Sequence, residues 1–408
     1  TFVNERIGFR EEMIYLYNKI NINIFDVFSH PDYDMGKNGE IFPNIIENQL
    51  YDAYRQTFVA ALKKMNTFCE ERGIQFYLMF DPNKISIYTE NIPDGINYSS
   101  EWVDEFFAAL DETGVAYIDN YNYFKEIKDD YKLYNIKEDV THWNALGAYL
   151  GCNNVLRRIS LDFPAVTENQ LDEFEVTTEV VKYLANSNIE INEEIPKIIV
   201  DEYWVNVGQA EKEALKKDTT FSNAQHHVFA DGVNTEYPKI LAFEGSYLFG
   251  KNYHDFLIRK SSDYAAIHNY RNVLNLPYYV NIYMPDLVIF DVAEFVFAEY
   301  FFDSYTMGHM EYMPGLSTFN YPYEEISGVE VTWIQHTDSF RRLLVKIGNT
   351  DYQYAYAIIN DKIYDLEIFE DYYRLTTLTE HIQSGDTVKV IFVDEENGIN
   401  CYYESVLE

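Results

Sequence analysis

The sequence predicts an α/β fold in which a doubly wound parallel sheet is followed by an all-β sandwich domain. Two observations lead to this prediction. Short apolar runs alternate with amphipathic helical segments up to about residue 300, which is typical of parallel strands buried on both faces. From about Ser327, apolar and polar residues alternate with period two between turn residues, which is typical of antiparallel strands. The 408 residues, 47% of them hydrophobic and 37 of them tyrosines, suffice for two domains and argue against disorder.

The predicted α/β elements follow one another in a regular order. We expect an amphipathic helix within the first forty residues, then a glycine-rich turn (GKNGEIF, 36–42) and a second helix. The apolar residues on one face of that second helix are Leu50, Tyr54, Phe58, Ala61, Met65 and Phe68. The apolar run at 74–80, closed by Asp81 and Pro82, predicts a buried strand.

The helix–strand unit then repeats along the chain. The pattern predicts a helix at 101–112, a strand at 115–119 and a further helix capped by Asn144. Two later apolar runs, at 239–243 and 287–292, predict further strands of the same sheet.

The C-terminal segment, residues 327–408, is predicted to form the β-sandwich, because short alternating runs are separated by turn signals such as Asn360-Asp361. We place the boundary in the stretch 314–326, rich in Pro and Tyr, so that the domains are residues 1–320 and 327–408. Alternation puts Tyr352, Tyr354 and Tyr356 on one face. These side chains either stack on sugar rings or pack in a core, and the sequence favours neither reading.

The charge of the chain limits its partners. The formal net charge of −36 makes nucleic acid an improbable ligand, because phosphate binding requires clustered Lys and Arg. A neutral or cationic sugar polymer would not be repelled. Three scattered cysteines, and no CxxC, HExxH or P-loop motif, lead us to expect no metal site and no cofactor.

The start of the chain bears on its location. It begins at Thr1 without an initiator Met or a signal peptide, which we interpret as the trace of a removed leader or membrane anchor. No apolar stretch reaches the roughly 18 residues that a transmembrane helix needs. These features alone do not determine the compartment.

A carboxylate and an imidazole lie three residues apart in the segment Glu138-Asp139-Val140-Thr141-His142, just before the helix that Asn144 is predicted to cap. This spacing lets Asp139 turn back onto Nδ1 of His142 and fix the tautomer of the ring. Nε2 is then free to act as a general base.

A nucleophile for this base is predicted at Ser246. The run Leu241-Ala242-Phe243-Glu244-Gly245-Ser246 places this serine just past the end of a buried strand. The carboxyl edge of a parallel sheet is where ligands bind, and the Ser246 N–H is suited to stabilise an oxyanion. The dipeptide Gly-Ser alone is weak evidence, since the sequence is not G-x-S-x-G.

These segments resemble the SGNH hydrolase-like acetyltransferase domains of the alginate O-acetylation proteins, the AlgX/AlgJ type. The likeness covers about residues 4–300 and, besides the strand leading to Ser246, includes these stretches: RIGFR (6–10), GKNGEIF (36–42), FDPNKISIYTENIPDG (80–95), THWNALGA (141–148) and PDLVIFDVAE (285–294). The resemblance implies an SGNH-like sheet with Ser246 as nucleophile and His142 as base. One type in this family carries a C-terminal carbohydrate-binding β-module, which residues 327–408 resemble.

Two departures from the family pattern affect the site. Val140 stands where the family has an Asp two residues before the His, and Glu244-Gly245-Ser246 replaces the usual Gly-Asp-Ser. Asp139 matches the Asp-x-x-His spacing of SGNH esterases and is our predicted orienting residue, with Glu138 as its rival. The candidate substrate-binding residues are Tyr247, Lys84, Tyr88 and Trp143.

Together these inferences predict an extracellular polysaccharide O-acetyltransferase or acetylesterase that uses a Ser-His-Asp triad and an acyl-enzyme. Its partners would be a polysaccharide and either an acetyl donor or a membrane-bound O-acyltransferase. The alternative is a catalytically inactive glycan-binding scaffold protein, which the departures at Val140 and Glu244 keep open.

Three other histidines, His226, His227 and His254, are predicted to have no catalytic or metal-binding role. Gln225-His226-His227 lacks further ligands at metal spacing and is predicted to be a surface loop. His254, eight residues after Ser246, is predicted to lie on a solvated helix face.

Overall fold

The computed structural model describes residues 13, 16, 17, 19–21, 24, 30, 32–43, 52–185, 187, 189–201, 204–206, 223–229, 236–348 and 352–408. Within them the helices are α1 (Asp52–Glu70), α2 (Lys84–Ile87), α3 (Glu101–Asp111), α4 (Asn120–Ile127), α5 (Ala145–Asp162), α6 (Ser246–Phe249), α7 (Asp255–Ile258), α8 (Leu276–Tyr283) and α9 (Ser304–His309). The strands of the first part are β1 (Tyr33–Met35), β2 (Ile41–Pro43), β3 (Gln75–Asp81), β4 (Ala116–Asp119), β5 (Glu175–Tyr183), β6 (Glu190–Ile199), β7 (Trp204–Asn206), β8 (Asn223–Phe229), β9 (Lys239–Phe243), β10 (Asp263–His268) and β11 (Leu287–Ala293). The strands of the second part are β12 (Tyr323–Glu325), β13 (Val329–Gln335), β14 (Phe340–Ile347), β15 (Tyr354–Ile359), β16 (Lys362–Asp365), β17 (Glu367–Phe369), β18 (Tyr372–Leu378), β19 (Thr387–Asp394) and β20 (Ile399–Val406).

A seven-stranded sheet forms the centre of the α/β part, in the order β4-β3-β11-β9-β10-β8-β7. Its first five strands run parallel, as predicted, and all seven residues of β11 are buried. Strands β8 and β7 extend the sheet in antiparallel orientation. Neither strand was predicted, because the β8 segment NAQHHVF carries polar residues instead of a continuous apolar run.

The predicted helices form where their apolar faces require a partner. Helix α1 buries Tyr54, Phe58, Ala61, Met65 and Phe68 as expected, and α5 begins at Ala145 with Asn144 as its cap. The Asn144 side chain accepts from the N–H groups of Leu146 and Gly147, two of the donors that a helix start leaves unpaired.

The N-terminal prediction is tested only in part. Phe9 and Leu50 lie outside the described residues, whereas Met13, Leu16 and Tyr17 are helical with exposed side chains. The glycine-rich segment forms the turn between β1 and β2, as predicted.

Two antiparallel sheets form the C-terminal region, in the orders β12-β20-β19-β15-β16 and β13-β14-β18-β17. Leu343 and Val345 of one sheet and Ala357, Val390 and Phe392 of the other share one apolar core. This is the β-sandwich predicted from the alternating pattern. Strand β12 already pairs with β20 from Tyr323 onward, and the domain boundary in the stretch 314–326 stays a prediction.

The three tyrosines at 352–356 pack against protein. Tyr356 is fully buried, and Tyr354 and Tyr352 are half-buried in the clusters around the sandwich. The structure therefore supports core packing, and not stacking on sugar rings, as the role of these tyrosines.

The sandwich contacts the α/β part at the amino ends of the parallel strands. Arg72, three residues before β3, forms an ion pair with Asp365 of β16 at 2.6 Å. Asn281 of α8 donates to the Asp365 carbonyl at 2.8 Å. Because Ser246 follows the carboxyl end of β9, this contact lies at the opposite edge of the sheet.

Candidate active site

The loop before α5 turns the Asp139 carboxylate back toward His142. Asp139 has a φ of 45°, a left-handed conformation that Asp tolerates better than most residues. Its Oδ1 accepts from the His142 backbone N–H at 3.3 Å and lies 2.7 Å from Nδ1 of the ring. The imidazole is thus held with Nδ1 toward the carboxylate and Nε2 pointing away from it.

Ser246 meets this ring from the other side. Strand β9 ends at Phe243, Gly245 has an extended backbone, and α6 begins at Ser246 itself. The Ser246 Oγ lies 2.8 Å from Nε2 of His142. Asp139, His142 and Ser246 therefore form one hydrogen-bonded chain at the carboxyl edge of the sheet. The His142 side chain remains 27% exposed, so solvent and small molecules reach the ring.

Lys251 lies on the far side of the same carboxylate. Its Nζ is 2.8 Å from Oδ2 of Asp139. Burial acts to raise the pKa of Asp139, but the hydrogen bond and charge of His142, together with Lys251, outweigh it and hold this pKa well below its usual range. Asp139 is thus ionised whenever His142 can accept a proton. Lys251 was not among the predicted site residues, since its only signal in the sequence is that it is a cation five residues after Ser246.

Glu138, the rival orienting residue, is directed elsewhere. Its Oε2 accepts from Asn135 Nδ2 at 2.6 Å, and its Oε1 lies 3.6 Å from Lys251. Burial raises the pKa of this carboxyl group. The geometry therefore favours Asp139 as the partner of His142.

Glu193 of β6 anchors the loop that carries these residues. Its carboxylate accepts from three consecutive backbone N–H groups, those of Ile136 at 2.6 Å and of Lys137 and Glu138 at 2.8 Å each. Burial acts to raise the pKa of Glu193, but these three donors lower it. No sequence motif pointed to Glu193, because its contact depends on β6 folding over a loop more than fifty positions earlier.

Of the backbone N–H groups of Gly245 and Ser246, only that of Ser246 is a candidate donor to an oxyanion. The Gly245 N–H donates to the buried Asp291 carboxylate at 2.9 Å and is therefore not directed at a substrate. The Ser246 N–H belongs to the first turn of α6, where N–H groups have no partner within the helix. Such a group beside the nucleophile suits a developing oxyanion.

Three of the four candidate substrate-binding residues are enclosed by protein. Lys84 is 1% exposed, pairs with Glu40 at 2.5 Å and donates to two backbone carbonyls. Trp143 is fully buried and donates to the Tyr247 carbonyl, while Tyr247 donates to the Thr141 carbonyl. These side chains hold the loops of the site together, and the structure therefore favours a structural role for them over direct contact with a substrate. Tyr88 is half-buried, and its role stays a prediction.

The three other histidines with predicted roles, His226, His227 and His254, are buried, contrary to those predictions. His226 and His227 lie in β8 with 4% exposure each, and His226 pairs with Asp263 at 2.7 Å. His254 is fully buried and lies 2.8 Å from Glu244. The surface-loop and solvated-face interpretations are therefore wrong, because antiparallel pairing and the Glu244 carboxylate enclose these rings. In the part of the chain that the structure describes, no group of His, Cys, Asp and Glu side chains is arranged to hold a metal ion.

The central α/β sheet is of the SGNH-like type, as predicted. Residues 35–225, slightly less than half of the chain, match the family model of the SGNH hydrolase-like domain of the acetyltransferase AlgX. This match confirms the resemblance to the AlgX/AlgJ type. It includes Asp139 and His142 and ends before Ser246.

Several solved structures are similar to this chain at low sequence identity. Bacillus cereus PatB1 is 14% identical with a TM-score of 0.51, and the alignment covers 65% of this chain and 98% of that one. PatB1 with a sulfonyl adduct gives 14% and 0.52 over 65% and 96% of the chains. The O-acetyltransferase domain of Pseudomonas putida AlgJ gives 15% and 0.45 over 71% and 96%. No curated protein sequence matches the chain.

One further finding concerns membranes. Among the described residues, no helix combines the length and apolar character needed to cross a bilayer.

Proposed function

We propose that this protein is an acyl-transfer enzyme, an O-acetyltransferase or acetylesterase that acts on an extracellular polysaccharide through an acyl-enzyme. The observation that carries the proposal is the chain from Asp139 through His142 to Ser246, with contacts of 2.7 and 2.8 Å. The acetyltransferase description of the matched family supports the same reaction class.

The proposed reaction has two halves. Nε2 of His142 takes the proton of Ser246 as Oγ attacks the ester carbonyl carbon, and the Ser246 N–H stabilises the oxyanion. Asp139 stabilises the imidazolium that forms. The intermediate collapses, His142 protonates the leaving alkoxide, and the acyl group remains on Oγ. Water or a sugar hydroxyl then gives its proton to His142 and attacks the acyl carbonyl carbon. The second intermediate releases Ser246 Oγ, which takes that proton back from His142, and the product is an acid or a new ester.

The nature of the polymer follows from charge. With a formal net charge of −36, the surface disfavours loosely held polyanions, so we propose a neutral or cationic polysaccharide. The acyl group would come from an acetyl donor or from a membrane-bound O-acyltransferase. An extracellular or cell-surface location is part of this proposal.

The test is covalent labelling of the nucleophile. A fluorophosphonate probe should label the wild-type protein, and peptide mapping should place the label on Ser246. Ser246→Ala should lose the label and lower p-nitrophenyl acetate hydrolysis by several orders of magnitude. Ser160→Ala is the matched control, since this hydroxyl donates within α5 to the Arg157 carbonyl and should not affect labelling.

The outcomes separate the hypotheses. Labelling at another residue, or equal activity in Ser246→Ala, would contradict the assignment. A wild-type protein that neither labels nor hydrolyses, but binds glycan, would instead be the inactive scaffold. With an oligosaccharide acceptor present, a mass increase of one acetyl group on the sugar identifies transfer, and free acetate alone identifies hydrolysis.

A further inference from the structure

Two carboxyl groups lie buried beneath the nucleophile turn. Asp81 ends β3 and Asp291 lies within β11, and both residues are fully buried. An Asp in the middle of the run LVIFDVA is unexpected, because an isolated buried carboxylate is very costly. Each side chain must therefore have a compensating partner.

Asp81 and Asp291 are diagonal neighbours on the paired strands β3 and β11, and the partners of each group leave one carboxyl oxygen without a donor. Asp81 Oδ1 accepts from Asn120 Nδ2 at 3.0 Å, and Asp291 Oδ2 accepts from the Gly245 N–H at 2.9 Å. Asp81 Oδ2 and Asp291 Oδ1 are also buried, and no N–H or hydroxyl in the described chain bonds to them. Two carboxyl oxygens in this position are satisfied when a proton lies between them.

We propose that Asp81 and Asp291 share one proton, with Asp81 as donor and Asp291 as the ionised member, and that Asp291 thereby positions the Ser246 turn. This inference rests on the proposed function. Asp291 does not touch the reacting atoms. It acts through Gly245, whose N–H it holds, and through its negative charge, which attracts protonated His142.

The proton distribution agrees with this geometry. Burial, and then the charge of Asp291, raise the pKa of Asp81 well above its usual range. Burial also raises the pKa of Asp291, to about 6, against the lowering effect of its hydrogen bond from Asp81. At neutral pH the pair therefore carries one proton and one charge.

The groups that face the pair are few and differ in charge. Glu244 at the end of β9 raises the pKa of Asp291, and His142 from the loop before α5 lowers it. The other titratable neighbours have pKa values raised by burial and stay neutral near pH 6: Tyr134, Cys152, Tyr247, Tyr264 and Tyr270.

The first arm of the test measures the nucleophile. Asp291→Asn should slow fluorophosphonate labelling of Ser246 by about 10- to 100-fold, because the turn is less firmly placed. The acid limb of the pH–rate profile should move to lower pH, since this variant lacks the Asp291 carboxylate, which has a pKa of about 6 and loses its charge on protonation. Asp81→Asn keeps an N–H donor toward Asp291 and should slow labelling by at most about 3-fold. Asp365→Asn removes another buried carboxylate, far from Ser246, and should leave labelling unchanged.

The second arm does not depend on activity. Both pKa values are raised in the folded protein, so the stabilising contribution is full below the unfolded pKa, near 4, and is lost as pH rises through the folded values. The difference in Tm between the wild type and Asp291→Asn should therefore decrease in favour of the variant as the pH is raised from about 4 to about 7. Asp81→Asn should show the same difference.

The results that overturn the proposal are distinct. It is wrong if Asp291→Asn labels at the wild-type rate with an unshifted acid limb, or if Asp365→Asn slows labelling equally. If Asp291→Asn does not fold, the test uses Asp81→Asn instead. A Tm of Asp81→Asn that varies with pH in the same way as the Tm of the wild type would contradict the shared proton. Absence of labelling in the wild type would instead contradict the proposed function, and the Tm arm would still test the pair.

Discussion

At the scale of single residues, the site depends on one unusual backbone conformation. The left-handed φ of 45° at Asp139 lets a carboxylate three positions before His142 reach Nδ1. The family pattern has its Asp one position closer to the His, where this chain has the apolar Val140. Val140 is 4% exposed and packs with Ile41 and Leu184, so the substitution is accommodated by an apolar cluster.

Asp139→Asn should lower kcat/KM far more than Glu138→Gln does. The Asn side chain keeps its size but loses the charge that stabilises the imidazolium, and the cost in the best-studied serine protease triad is about 10⁴-fold. Steady-state hydrolysis of p-nitrophenyl acetate measures both variants. A large loss only in Glu138→Gln would reverse our assignment, and full activity in both would indicate a Ser–His dyad.

Lys251→Met should make Asp139 easier to protonate. Asp139 has a depressed pKa in the folded protein, so its stabilising contribution is present above the unfolded pKa and is lost as pH falls through the folded value. Without Lys251 this loss should begin at a higher pH, which the acid side of a Tm–pH curve measures. Lys260→Met is the control, because its Nζ bonds only weakly, at 3.4 Å, to Thr167. Identical acid limbs for Lys251→Met and the wild type would contradict a role for Lys251.

At the scale of elements, the loop before α5 is held from both ends. Glu193 of β6 anchors its start through three N–H groups, and Asn144 caps the helix that follows its end. Between these two anchors the loop presents Asp139 and His142 in a fixed relation. A site built on a loop gains its precision from such supporting contacts.

Glu193→Gln should lower both stability and kcat/KM, although Glu193 is not one of the three proposed catalytic residues. The amide has one acceptor oxygen in place of two and no charge, so at least one of the three N–H groups loses its acceptor, and the loss should be about 1–3 kcal/mol in the free energy of unfolding. We expect kcat/KM to fall by about 10-fold because Asp139 and His142 lose their fixed placement. Glu194→Gln, one residue on and exposed, is the control and should match the wild type in urea unfolding and in rate. Equal behaviour of the two variants would contradict the anchoring role.

At the scale of the whole molecule, the sandwich and the site occupy opposite edges of the sheet. The contact through Arg72 and Asp365 joins the two parts at the amino ends of the strands. A role of the sandwich in glycan binding would therefore act on polymer segments remote from Ser246. Its contribution to the reaction would be to retain the polymer and not to shape the site.

Arg72→Ala should destabilise the joint between the two parts. It leaves the Asp365 carboxylate buried without a counter-ion, which costs about 3–5 kcal/mol in comparable cases. Burial already raises the pKa of Asp365 to about 6, so the loss should be larger at pH 8, where the group is charged, than at pH 5. Urea unfolding at both pH values measures this difference. A loss that is equal at both values would contradict the explanation by charge, and labelling of Ser246 should be unaffected.

The sequence by itself determined the fold class and pointed to the three residues that we propose to be catalytic. Hydrophobic periodicity predicted α1, the strands β3, β9 and β11 and the alternating strands of the sandwich, because burial imposes a local pattern on each element. Ser246, His142 and Asp139 were predicted because the roles that we propose for them require particular side chains next to strand and helix ends. The tertiary structure alone decided that Lys251 pairs with Asp139, that Glu193 anchors the loop, that Asp291 lies under Gly245, and that Lys84, Trp143 and Tyr247 are enclosed. These contacts join residues from separate elements. The partner that compensates a buried charge is set by the three-dimensional packing of those elements, and no local pattern in the sequence records it.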